Sequence, residues 1–406
     1  MRTRPARLRV EAALNDRSTQ RGGPQDAATT VRRTFPGSLR DGGERHSLAV
    51  VAVVAVVLAS ACSSAPNTGG ALYDWDAVAS DGSSATGGTG ADGGSDGSSG
   101  TGTAPDSAHL KAGCIDGDYD EALPTPTASI EALIGAYDSK EAFAFVLAVL
   151  EARYPTGRFL VDQGVAKGQQ NCFDLFLPVM MRGTAKSTLD RIEVLVHECG
   201  HLYDLSVGGF SSHHYHISDK VQRTCAGGSA QAGGKTFARS RLQSDTYALL
   251  RPACSKGSGP HGCDSYADVY LNGNPDDAKF ESGDQGFDLL HEETVQYVHS
   301  LATASAFSDR IVGSTSARDG ILTFLWYTER YLRMARTEYP KAYAALVDDP
   351  CWREAILLTW ARAWRMLDAT ADNKKLGIQA KAILPLVEDP DLLNEVELVR
   401  AKHGCK

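Results

Sequence analysis

The chain has 406 residues, and 42% hydrophobic with 22% charged residues is the balance of a folded protein, which excludes wholesale disorder. A formal net charge of −9 excludes a broadly cationic surface, so no nucleic-acid partner is expected. The charge is uneven: residues 1–62 are Arg-rich and net positive, whereas residues 63–406 carry the acidic excess.

Leu48 to Ala61 reads LAVVAVVAVVLASA, a charge-free run. It is shorter than the roughly 20 residues of a membrane span. With Arg45 and His46 in front and small residues behind, it reads as the apolar core of a signal peptide. Ala59-Ser60-Ala61 forms an A-x-A cleavage site, and Cys62 follows at once. The stretch resembles a bacterial lipobox, with Ala59 where Leu is usual. That resemblance implies lipidation of Cys62 and a membrane tether at the cell envelope; secretion after cleavage at Ala61 is the alternative. Upstream, Arg32-Arg33-Thr34-Phe35 resembles a twin-arginine export motif but lies far from the apolar core. Residues 1–44 read equally as sequence ahead of the true start.

Residues 63–113 are rich in Gly, Ser, Thr, Asp and Ala, with too few large apolar groups to offset ordering entropy. They are expected to form a flexible linker with a root-mean-square span of roughly 40 Å. The folded domain is then 114–406. Of nine cysteines, eight follow Cys62: 114, 172, 199, 225, 254, 263, 351 and 405. An even set in an exported chain points to disulfides. Cys254 and Cys263 flank a Gly/Pro turn and make the best single pair. Cys199 reads as a free, buried thiol.

Apolar periodicity predicts a helix over 139–153, then short strand-like runs in Phe159–Val161 and Leu175–Met181. A strong helix is expected over 187–205, with Ser187 and Asp190 placed as a capping box and Gly208-Gly209 closing it. Residues 210–285 read as loop, with a lobe boundary near 207–285. Helices follow near 286–306, 315–338, 341–347, 351–367 and 376–400. The fold class is α+β, mostly α.

His197-Glu198-Cys199-Gly200-His201 is an H-E-x-x-H motif. On a helix, residues four apart share a face, so both imidazoles can reach one metal ion. The Glu beside the first His is placed to act as a base. Entering and leaving runs (Val194-Leu195-Val196 and Leu202-Tyr203) are apolar, and polar groups on such a helix are costly without a purpose. VLVHECGHLYD resembles the active-site helix of the zincin metallopeptidases. The resemblance implies a zincin-like catalytic domain with a helical C-terminal lobe, zinc on His197 and His201, Glu198 as general base, and hydrolysis of peptide or protein substrates.

A catalytic zinc needs a third protein ligand and an open position. A metzincin would place a third His where Val207 stands, which excludes that subclass. Asp288 to Leu301, DLLHEETVQYVHSL, resembles the glutamate helix of gluzincins, although the Asn-Glu-x-x-Ser-Asp signature of thermolysin-like enzymes is missing. Glu292 shares a face with Gln296 and His299; Glu293 shares one with Leu290 and Tyr297, nearer the apolar edge. Either can serve as ligand, with Glu293 favoured. Tyr297 and His299 are candidate transition-state donors. His213, His214 and His216 form a local cluster expected in a loop, and Asp245 is a further acid. Tyr327, Tyr331, Trp352, Trp360 and Trp364 read as core. Two other readings share the motif: a tethered binding lipoprotein with a degenerate site, and a structural zinc closed by a fourth ligand such as Cys199 or a loop His.

Overall fold

The computed structural model describes residues 108–209, 212–226, 236–244, 264, 266–273 and 285–406. Residues 1–62, expected as signal and lipobox, the expected linker up to residue 107, Asp245 and the expected Cys254–Cys263 pair lie outside the described residues. The described body is mostly helical with one small sheet.

A short helix α1 (Glu131–Gly135) leads into α2 (Ala142–Arg153) and α3 (Pro155–Lys167). Pro155 occupies the first turn of α3, where its missing N–H leaves no bond unmade. The strand-like run Phe159–Val161 therefore lies in a helix, with Leu160 and Val161 buried on one face. The second such run is also helical. It covers the end of α4 (Cys172–Phe176) and a 3-10 turn over Val179–Met181, with Pro178 between them. Short apolar runs do not separate strand from buried helix, and here helix wins.

Thr184 and Ser187 form the actual capping box, on the short helix α5 (Ala185–Leu189). The expected box from Ser187 and Asp190 is not formed. The motif helix α6 (Ile192–Gly208) starts afresh without a side-chain cap and ends at Gly209, whose φ of 68° suits a glycine. An antiparallel hairpin follows, β1 (Ser212–Ser218) and β2 (Val221–Ala226). It pairs His213 with Cys225, His214 with Thr224 and His216 with Gln222. The histidine cluster expected in a loop is thus strand.

After the short α7 (Ala267–Tyr270) come the long helices α8 (Phe287–Ala306) and α9 (Ala317–Glu338), then α10 (Pro340–Val347) and α11 (Pro350–Ala369). The expected helix over 376–400 is broken into α12 (Ala380–Val387) and α13 (Pro390–His403). Pro390 cannot continue a helix but opens one, and the Asp389 carboxylate accepts the Asp391 N–H as its cap.

Helix α8 runs through the centre, packed on α6, α9, α11 and β1. Tyr327, Tyr331, Trp352, Trp360 and Trp364 are buried in the core as expected. One apolar cluster runs from Cys114 to Val399, so no lobe boundary separates the described residues on either side of 207–285. No helix among the described residues is long and apolar enough to cross a membrane.

Three disulfides tie the body: Cys114–Cys405, Cys172–Cys199 and Cys225–Cys351. Cys199 is therefore not a free thiol. It lies on the side of α6 away from the histidine pair and is clamped to the start of α4. Gly164 of α3 makes room for it, since a Cβ there would come within 2.5 Å of the Cys199 carbonyl oxygen. Such a set forms in an oxidising compartment, which places maturation outside the cytoplasm. Peptide mapping without reductant should recover these three pairs. Replacing Cys172 and Cys199 together by Ser should lower stability to urea by about 3.5 kcal/mol, the loop-entropy value for a closure of 27 residues.

Candidate metal centre

His197 and His201 stand one turn apart on α6, and their Nε2 atoms approach to 2.9 Å. Glu293 of α8 brings Oε2 to 3.6 Å from His197 Nε2 and 3.4 Å from His201 Nε2. An ion held tetrahedrally at 2.0–2.1 Å keeps its ligand atoms about 3.3 Å apart, and these three edges bracket that value. All three side chains are buried, and Glu293 Oε2 has no hydrogen-bond partner. A buried carboxylate oxygen is costly unless positive charge sits beside it, and either a metal ion or a ring proton between the two Nε2 atoms would supply it. Together His197, His201 and Glu293 form a buried group that can hold a metal ion.

The far ring nitrogens are fixed as such a site requires. His197 Nδ1 lies 2.9 Å from Ser300 Oγ, and His201 Nδ1 pairs with Glu292. In the tautomer a metal would select, each Nδ1–H would donate away from the centre and each Nε2 lone pair would be free to bind. Adjacent glutamates thus take different parts: Glu293 faces the ion position, and Glu292 orients His201. Burial alone would lower the His201 imidazole, but Glu292 and Glu293 more than reverse this and hold it well above its ordinary value. Burial would likewise raise Glu293, and the charges of His201 and His197 overcome it, holding the carboxyl below the usual carboxylate range.

Gly200 leaves room between the two helices for the Gln296 amide. A Cβ there would lie 2.0 Å from Gln296 Oε1, so that amide could not stay where it is. Glu198 follows His197 on the motif helix and is 6% exposed. The Tyr297 ring meets His197 edge-on at 4.8 Å, and its hydroxyl lies 3.0 Å from that of Tyr270. Gly320 of α9 leaves space for this ring, a Cβ there coming within 2.3 Å of it.

His299, expected as a donor at the site, has other work. Its Nδ1 lies 2.7 Å from Tyr154 Oη, its Nε2 lies 2.7 Å from the His216 carbonyl, and Arg362 packs against it. Arg362 is in turn paired with Glu121, so His299 belongs to a buried polar network. The hairpin histidines do not join the triad either. His213 pairs with Asp288 at 3.0 Å, His214 meets Thr224, and the His216 ring stacks on Phe159. Cys199, being disulfide-bonded, is removed as a fourth ligand for a structural metal. The sequence reading passed over Asp204, Gln296 and Ser300 as participants. Their signal is periodic: Asp204 lies three residues after His201, Gln296 four after Glu292 and Ser300 seven after Glu293.

Glu293→Ala should abolish stoichiometric metal binding, whereas Glu292→Ala should retain it with affinity reduced about 10- to 100-fold; metal content after dialysis against a chelator series separates the two. Acid should oppose the burial of three neutral histidines. Burial pushes His216 and His291 down to about 3 and His214 to about 4, with the Arg362 and Lys167 charges helping at His216 and His214 respectively. Their folded values lie below the ordinary 6.5, so the stability they contribute is whole above that pH and is lost as pH falls toward 3–4. His201, shifted the other way, gains nothing further below 6.5. No protein family matches the chain, and no curated protein or solved structure matches it, so the reading of the centre rests on its own geometry.

Proposed function

We propose that this protein is a zinc-dependent metallopeptidase of the gluzincin-like H-E-x-x-H kind, hydrolysing peptide bonds outside the cytoplasm. The observation that carries the reading is the arrival of the Glu293 carboxylate, 92 residues after His201, at the paired Nε2 atoms. Two imidazoles and one carboxylate, with one position left open, are the donor set of a catalytic rather than a structural zinc site.

His197, His201 and Glu293 would hold the ion, with Ser300 and Glu292 fixing the two rings. Bound zinc supplies Lewis acidity, which polarises a carbonyl and makes a water acidic near neutral pH. Glu198 takes the proton of the attacking water at its carboxylate and delivers it to the leaving nitrogen. Burial of the triad keeps bulk water from competing at the centre and strengthens every charge interaction there. Tyr297, beside His197, bounds the place where a substrate carbonyl is held. Lipidation at Cys62 would fix the enzyme to the envelope, with the linker as its reach. A peptide or protein is the substrate class.

The test is a comparison of wild type with Glu198→Gln on a mixed peptide library. The variant should keep its zinc by elemental analysis while hydrolysis falls about 100- to 10,000-fold. Chelation should silence the wild type, and zinc should restore it. A purified protein without zinc, or a variant as active as wild type, would refute the proposal. A zinc-loaded wild type that cleaves nothing would leave a tethered binding lipoprotein.

A further inference from the structure

Two neighbouring carboxylates, Glu292 and Glu293, reach the same histidine, yet only one is free to ligate. The side chain that separates them lies one turn further along α8. Gln296 is fully buried, and its Nε2 sits 3.1 Å from Glu292 Oε1 and 2.9 Å from Asp204 Oδ2. Both contacts are to carboxylate oxygens, so the amide orientation follows: only the NH2 end can donate to two acceptors. Its carbonyl end lies against Gly200 of α6. Asp204, one turn beyond His201 on α6, also accepts the His216 backbone N–H at 3.1 Å from the hairpin. The Gln296 amide thus bridges a carboxylate on each helix, at the level of the motif.

Resting on the metal-site reading above, we infer that Gln296 is the positioning residue that elects the metal ligand. It holds the Glu292 carboxylate back against His201 Nδ1, so that Glu293 alone faces the ion position. The alternative state is close at hand. A freed Glu292 carboxylate has one oxygen released from Gln296 and a flexible stem with which to swing toward the same centre. Such a swing would leave His201 without its acceptor and add an oxygen to the coordination sphere, filling the position that a substrate needs. No other amide in the described site bridges the two helices in this way. Asp204 serves as its far anchor, because a donor held at both ends cannot rotate away from Glu292.

The experiment uses the full-length protein loaded with Co2+, whose visible absorption reports coordination number, together with Zn2+ affinity by chelator competition. Gln296→Met keeps the size of the side chain and removes the donor. It should lower zinc affinity about 10- to 100-fold and weaken the absorption, as a four-coordinate ion gains an oxygen. Adding Glu292→Gln to it should restore the four-coordinate spectrum, because the competing carboxylate is gone. Should Gln296→Met fail to fold, Asp204→Asn reads the same point, since it keeps an acceptor for the His216 N–H while weakening the anchor. It should shift the spectrum in the same direction. A merely structural glutamine would change the unfolding midpoint and leave the spectrum of the loaded protein as in wild type. That result, or zinc affinity within twofold of wild type in a folded Gln296→Met, overturns the inference. A wild type that takes up neither metal overturns the metal-site reading instead.

Discussion

The centre depends on how closely two helices approach. H-E-x-x-H supplies only half of a coordination sphere, and the remaining ligand must arrive from a separate helix to within a few tenths of an ångström. Gly200 makes that possible by leaving no Cβ between α6 and the Gln296 amide of α8. Once the helices are in register, Glu293 meets the histidine pair, Ser300 meets His197, and Glu292 meets His201. Each of these groups is buried, and apart from Glu293 Oε2 each faces a polar neighbour. A buried charge without such partners would destabilise the fold by several kcal/mol. The polar centre is tolerable only as a complete set, and an ion held by His197, His201 and Glu293 would complete it.

The sequence showed part of this plainly. His197 and His201 were legible because a period of four on a helix is a local property. Glu293 was legible as a preference over Glu292, from its place at the apolar edge of α8. What Glu292 does was not legible, since its partner is a ring nitrogen on another helix. His299 misled for the same reason: it lies on α8 six residues after Glu293, but its nitrogens are taken by Tyr154 and the His216 carbonyl, neither of which periodicity can place.

The fold divides in a similar way. Long amphipathic helices such as 287–306 and 317–338 were read to within two residues. The short apolar runs were not, because Phe159–Val161 and Leu175–Met181 carry no length to distinguish a buried helix from a strand. The histidine hairpin was missed because His is neither a strong strand former nor a turn former. The fate of Cys199 turned on Cys172 and Gly164, which only the packing of α3 and α4 on α6 brings to it.

The Cys114–Cys405 bond has a mechanical meaning for a chain whose folded body follows a long Gly/Ser-rich segment. It joins residues 291 apart and so encloses almost the whole described body in one covalent ring. Tension transmitted through the residues before Cys114 passes across that bond into the end of the last helix rather than peeling the early helices away one by one. A pull on the leading segment is then shared between the start of the body and its last helix.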